Sequence, residues 1–253
     1  MGILPRNGRV TGGRILFDDP DTKAPPIDLA ALDPESKAYR AIRGGRISMI
    51  FQEPMTSLSP LHTVGNQIIE AVRLHRTATH EQAKRATREM LAHVGFPDPD
   101  KALRTYPFEL SGGLRQRAMI AMALVCQPAL LVADEPTTAL DVTIQAQILK
   151  LIRDLQSEFG MAVLMITHDL GVVANVADEV VVMYRGEVME SGTSRDIFRE
   201  ARHPYLKALL NAVPRFNMGP DERLQPIREI RSEGGQLLAD KEPWPAGADA
   251  AGP

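Results

Sequence analysis

One cysteine, Cys126, stands among 253 residues. A single thiol excludes a disulfide scaffold and any multi-cysteine zinc or iron–sulfur site. Long apolar runs are missing as well. The longest, Ala118 to Cys126, has nine residues, against the roughly 20 that a membrane span requires. No apolar stretch precedes Pro5 and Arg6, so no secretory signal is visible. A basic excess is also lacking. The net charge is −3 and the isoelectric point about 6.1. Arginine outnumbers lysine by 22 to 7, yet nothing in the balance points to nucleic acid. No internal repeat stands out. What remains is an ordinary globular composition, 44% hydrophobic and 24% charged. A chain of this length buries a core without covalent staples. The expectation is a soluble, cytoplasmic protein whose membrane role, if any, passes through partners.

Periodicity supplies the elements. Residues 12–17 and 46–51 read as strands between Gly, Pro and Asp punctuation. The polar stretch 18–45 reads as a loop with one short helix. Apolar residues at helical spacing mark helices over 65–75 and 79–94. Thr79 with Gln82 three residues on forms a capping box, and Gly95 stops the helix. Four apolar, β-branched runs follow, at 129–133, 162–166, 179–184 and 187–190. The first two are continuously apolar, as in parallel strands buried on both faces. Helical segments 113–126, 142–158 and 170–177 alternate with them. That alternation predicts an α/β layer fold around a parallel sheet. Helices over 194–200 and 204–212 close the pattern. From about 218 onward Pro, Gly, Ala and charge dominate, and the sole tryptophan, Trp244, lies there. This tail reads as disordered.

Chemistry concentrates just beyond strand ends. The run Leu131-Val132-Ala133 leads into Asp134 and Glu135. In an open parallel sheet that places two carboxylates at the ligand-binding edge. Asp134 suits a Mg²⁺ ligand, and Glu135 suits a base that polarises an attacking water. Gln52 and His168 each sit past another apolar strand. Ser111-Gly112-Gly113 opens a helix: a serine N-cap, two glycines that let backbone N–H groups approach an anion, and the positive end of the helix dipole. Taken singly, each feature also fits an ordinary turn or cap.

Their order is more specific. Ile50-Phe51-Gln52-Glu53-Pro54 comes first, then Leu110-Ser111-Gly112-Gly113, Asp134-Glu135-Pro136-Thr137, Ala139-Leu140-Asp141 and Ile166-Thr167-His168-Asp169. This series resembles the nucleotide-binding domain of ATP-binding cassette (ABC) proteins over about residues 1–215. The segments Phe51 to Pro60, Thr63 to Ile68 and His203-Pro204-Tyr205 resemble the oligopeptide, dipeptide and nickel importer ATPases. The resemblance implies a P-loop NTPase-like fold with a helical signature subdomain over about 53–127, and a C-terminal extension over 216–253. It implies ATP and Mg²⁺ as ligands. Glu135 and His168 would be catalytic, and Gln52 and Asp134 would serve the metal. Gln52, Ser111, Gly112, Gly113, Gln116 and Asp141 would contact nucleotide or the opposite site. The implied partners are a second ATPase subunit facing head to tail, two transmembrane permeases docked near Gln52 and residues 53–94, and, indirectly, an external binding protein. No nucleic acid is expected. The implied place is the cytoplasmic face of the inner membrane, as a peripheral subunit.

One expected part is not in the sequence. None of the 19 glycines is followed by lysine, so the phosphate loop G-x-x-x-x-G-K-[ST] is absent. In the family that loop precedes the equivalent of residues 1–5. The expectation is therefore an N-terminally incomplete cassette, with apolar surface laid bare where a strand is missing. A non-catalytic half-site that lends only its signature motif to a partner is the alternative. The other histidines, His62, His75, His80, His93 and His203, are scattered, and no metal role is expected of them. No iron–sulfur cluster is expected in the cysteine-free tail.

Overall fold

The computed structural model describes residues 2–4, 8–52, 57–138 and 140–212. The expected extension over 216–253, with Trp244, lies outside them. The chain divides after His168 into two compact units.

The first unit is built on three parallel strands in the order β3-β4-β5. These are β3 (Ile47–Ile50), β4 (Leu130–Asp134) and β5 (Ala162–Ile166). The register sets Ile50 beside Ala133 and Asp134 beside Ile166. All three strands therefore end at one edge of the sheet. A short antiparallel pair, β1 (Leu16–Phe17) and β2 (Ile27–Asp28), precedes them. Phe17 packs with Ile42 and Ile47 beneath Leu130 and Val132. Arg46 fastens this corner by donating to Asp19, Nε to Oδ2 at 2.8 Å, and by pairing with Asp21 at 2.6 Å. Helix α1 (Lys37–Ile42), capped by Ser36, is the one short helix expected between the first strands.

A helical layer is inserted between β3 and β4. It comprises α2 (Val64–His75), α3 (His80–His93), α4 (Pro99–Ala102), a 3₁₀ turn (Pro107–Glu109) and α5 (Gly112–Leu124). The Thr79–Gln82 capping box forms in full, and Gly95 follows α3 with φ 82°. Helix α6 (Val142–Phe159) runs from Asp141 to Gly160, the latter in the left-handed conformation at φ 63°. One apolar cluster joins these layers. It includes Ile68 of α2, Leu91 of α3, Ile120 and Leu124 of α5, Leu131 of β4 and Ile148 of α6, each about 1% exposed or less. At roughly 1.5–3 kcal/mol for each fully buried side chain, this cluster is the main cohesion of the unit.

Two expectations need correction. The strand expected over 12–17 is reduced to Leu16–Phe17; Ile15 and Leu16 are more than half exposed, so only Phe17 gains from burial. Its partner β2 was not foreseen, because two residues display no periodicity. Strand β5 was expected to be buried on both faces. Instead Leu164 and Ile166 are 54% and 47% exposed. Among the described residues β5 pairs only with β4, so it is a sheet edge with one bare face.

The second unit opens with α7 (Leu170–Val176), whose N-cap is Asp169. An antiparallel hairpin follows, β6 (Glu179–Tyr184) and β7 (Glu187–Thr193). Arg185 and Gly186 turn it with φ 50° and 84°, the conformation that two-residue hairpins favour. Helices α8 (Ser194–Arg199) and α9 (Pro204–Asn211) pack on one face of the hairpin around Val182, Met189, Ile197 and Leu206. Glu190, 4% exposed, accepts backbone N–H bonds from Arg202 at 3.0 Å and His203 at 2.8 Å. Its buried carboxyl oxygens thus find partners at the start of α9.

Candidate functional site

The three strand ends meet at Glu135. This residue follows β4 with φ 44°, in the left-handed region that side chains avoid. Such a conformation costs of order 1–3 kcal/mol and persists where its surroundings fix it. Here its backbone N–H donates to the Ile166 carbonyl of the neighbouring strand at 2.9 Å. Its carboxylate collects donors from three loops. Gln52, two residues past β3, donates Nε2 to Oε2 at 2.9 Å. Thr138 donates its hydroxyl to the same oxygen at 2.8 Å. His168, two residues past β5, places Nδ1 2.8 Å from Oε1. The His168 bond, then the Thr138 bond, hold the carboxyl below the usual carboxylate range, with desolvation opposing. Glu135 is thus ionised at neutral pH, with a side chain only 20% exposed, while His168 is 77% exposed.

The structure brings together Gln52, Glu135 and His168, with Asp134 adjoining at the end of β4. Thr138 was missed by sequence reasoning. It closes a turn with Glu135, its N–H donating to the Glu135 carbonyl at 3.2 Å. A hydroxyl at the end of a four-residue turn was the available signal.

A divalent cation suits this donor set. Gln52 gives its amide N–H to Glu135, which leaves Oε1 as an acceptor, and Asp134 supplies a carboxylate. No group of three or more His, Cys, Asp or Glu among the described residues could hold a metal alone. A few hard oxygen donors, completed by water and substrate phosphates, are what Mg²⁺ takes.

Ser111, Gly112 and Gly113 form a separate feature at the start of α5. The Ser111 hydroxyl accepts from the Leu114 N–H at 3.4 Å. A β-carbon on Gly113 would lie 3.2 Å from Ile144 Cγ2, and one on Gly112 would lie 4.0 Å from Leu140 Cδ2. Lack of a side chain at Gly113 lets the helix start approach α6 closely. Asp141 caps α6, accepting from the Ile144 N–H at 2.9 Å. Gln116 departs from its expected place among nucleotide-contacting residues. It is 2% exposed and donates Nε2 to the Pro136 carbonyl at 2.6 Å. Helical geometry turns it inward, a turn along from Ser111.

Comparison with known proteins agrees with this architecture. The sequence pattern of the ABC transporter family matches residues 2–138, more than half of the chain. That of the oligopeptide/dipeptide transporter C-terminal region matches residues 189–239. A putative peptide import ATP-binding protein of Brucella ovis is 58% identical over 217 residues, covering 85% of this chain and 63% of the relative. The dipeptide transport ATP-binding protein of Bacillus subtilis is 52% identical over 228 residues, covering 90% of this chain and 65% of the relative. The chain thus spans just under two thirds of the length of these relatives. Among solved structures, a dimeric ATP-binding cassette in a post-hydrolysis state, bound to ADP and Pi, superposes with a TM-score of 0.62 at 27% identity, covering 74% of this chain and 76% of that one. The sheet with its inserted helical layer is the ABC cassette fold, and the chain belongs to the ABC transporter family.

Proposed function

We propose that the chain is the ATP-binding and hydrolysing subunit of an ABC importer, coupling ATP hydrolysis to uptake of peptides or a related small ligand. The convergence of Gln52, Thr138 and His168 on Glu135, beside Asp134, carries this reading. A carboxylate has about four acceptor positions. Oε2 takes two donors and Oε1 takes one. The second position on Oε1 is left for an attacking water, whose proton Glu135 accepts. His168 holds the carboxylate in that orientation and presents an exposed ring toward the transferred phosphate. Asp134 and the Gln52 oxygen would hold Mg²⁺, which when bound neutralises phosphate charge. Ser111, Gly112 and Gly113 would receive the terminal phosphate of a nucleotide held by a second ATPase subunit, through the dipole and N–H groups of α5. Asp141, at the start of α6, would face that subunit.

Coupling to transport requires permeases. Next to Gln52 lies a cavity of about 440 Å³ lined by Arg40, Arg43, Phe51, Leu74, His75 and Met122, among others. Phe51 and Leu74 are 43% and 71% exposed there. No helix among the described residues is long and apolar enough to cross a membrane. Two permease subunits would therefore supply the path, with this chain on their cytoplasmic face and a binding protein delivering ligand outside. The peptide class rests on relatives named for peptide and dipeptide import.

The test is Glu135→Gln in a version of the chain that carries a phosphate loop, assembled with its ATPase and permease partners. ATP turnover falls by about 10²–10⁴-fold, the range for a positioned base, while nucleotide binding is retained. Turnover close to that of the parent removes Glu135 from the role and the reading with it.

A further inference from the structure

We infer that Gln116 is a positioning residue that ties the start of α5, which carries Ser111, to the loop that carries Glu135. The inference rests on the functional reading above for its consequence, but not for the link itself.

Gln116 lies in a stretch of α5 where Ala118, Met119, Ile120 and Ala121 are all buried, at 3% exposure or less. An apolar side chain would fill that space. An amide persists in such surroundings where its hydrogen bonds are made. Gln116 Nε2 makes one to the Pro136 carbonyl at 2.6 Å, on the residue directly after Glu135. That carbonyl belongs to the tight turn closed by the Thr138 N–H on the Glu135 carbonyl. The same turn sends the Thr138 hydroxyl to the Glu135 carboxylate. A path of two hydrogen bonds, joined through the backbone of the turn, therefore runs from inside α5 to the base.

The helix start is also packed tightly against its neighbours. Gly113 rests on Ile144, as its close approach requires. Arg117 donates Nη1 to the Val94 carbonyl at 2.5 Å and Nη2 to Gln147 of α6 at 3.4 Å. Packed interiors transmit small displacements because they do not deform continuously. In the proposed dimer Ser111 meets the nucleotide of the partner, whereas Glu135 acts on the nucleotide of its own chain. Gln116 then stands between two different ATP sites within one polypeptide. Movement of Ser111 at one site reorients Glu135 at the other.

Amide NMR of the full chain without nucleotide tests the link, so its outcome is independent of whether the chain hydrolyses ATP. Ser111→Ala removes the cap of α5. In the parent background it shifts the amide resonances of Leu114 and also those of Glu135, Thr137 and Thr138. In Gln116→Met, which keeps length and volume but has no donor, the Leu114 response remains and the loop response falls by about half or more, as expected for coupled neighbours. Equal loop shifts in both backgrounds overturn the inference, as does a parent loop that does not respond. If Gln116→Met fails to fold, Gln116→Leu is used instead; it fills the buried site and has no donor, and the same two outcomes decide.

Discussion

Replacing Gly65 by alanine sets two effects of opposite sign against each other. Gly65 is the second residue of α2 and is buried. Alanine in a helix is favoured over glycine by up to about 1 kcal/mol, partly through the unfolded chain. Taken alone this predicts a more stable protein. The added carbon, however, would stand 2.4 Å from the Leu103 carbonyl oxygen, 2.7 Å from Leu103 Cα and 2.9 Å from Leu103 Cδ2. Two of these are backbone atoms and cannot swing aside. Ordinary contact lies at roughly 3.5 Å, so α2 and the turn after α4 must part by about 1 Å. Parting them strains the Val64 N–H bond to the Thr105 carbonyl, 2.9 Å long. It also loosens Val64 and Leu103, which are 0% and 9% exposed. Overpacking costs about 1–3 kcal/mol, and a weakened hydrogen bond adds up to about 1 kcal/mol. Set against the propensity, the clash leaves Gly65→Ala destabilised by up to about 3 kcal/mol. Urea unfolding followed by far-ultraviolet circular dichroism measures it, as a lower midpoint at unchanged slope. A midpoint equal to or above that of the parent refutes the argument.

Two further perturbations probe charge and backbone. Arg46 is the leading cause that holds the Asp19 carboxyl below its usual range, so the stabilisation is full above an unfolded pKa of about 3.9 and is lost as pH falls through the lower folded value. Asp19→Asn is expected to cost about 1–2 kcal/mol at pH 7 and to match the parent at strongly acidic pH; a gap that stays constant on acidification contradicts this. Gly160 caps α6 at φ 63° with nothing within 4 Å of an added carbon, so Gly160→Ala costs about 1 kcal/mol through conformation alone. Gly160→Asn costs less, because asparagine tolerates the left-handed region; equal losses for the two variants in thermal melts would show that the cost is not conformational.

The fold was legible where one element decides its own state. Thr79 and Gln82 sit three apart on any reading, and their capping box is local. The runs at 162–166 and 179–184 coincide with β5 and β6 because β-branched residues between turn signals need no distant partner to be recognised. Burial is a different matter. The sequence Ala162-Val163-Leu164-Met165-Ile166 is apolar throughout, which fits a strand covered on both sides. Yet Leu164 and Ile166 are exposed, because exposure depends on what packs against the strand, and periodicity within the strand carries no record of that. The pair β1–β2 failed for a related reason: its register is set by single contacts such as the Ile15 N–H donating to Asp28 Oδ1 at 3.0 Å, not by a pattern.

The site divides along the same line. Gln52, Glu135 and His168 are separated by 83 and 33 positions, and alone each is an unremarkable polar residue after an apolar strand. Parallel topology makes them convergent: strands that run the same way end at the same edge, so the residues just past three ends must be neighbours. Gln116 and Thr138 follow no such rule. A glutamine near the start of a helix reads alike whether it faces solvent or the interior. Helix geometry turns it inward, where it meets the Pro136 carbonyl beside Glu135, the residue with the positive φ. That angle is held in turn by the Ile166 carbonyl on β5. The partner of Gln116 is thus a loop twenty residues along the chain, brought to it only once the sheet has formed. Residues placed by the topology of the sheet can be found by reading strand ends; residues known by their bonds to one turn become visible only in the folded chain.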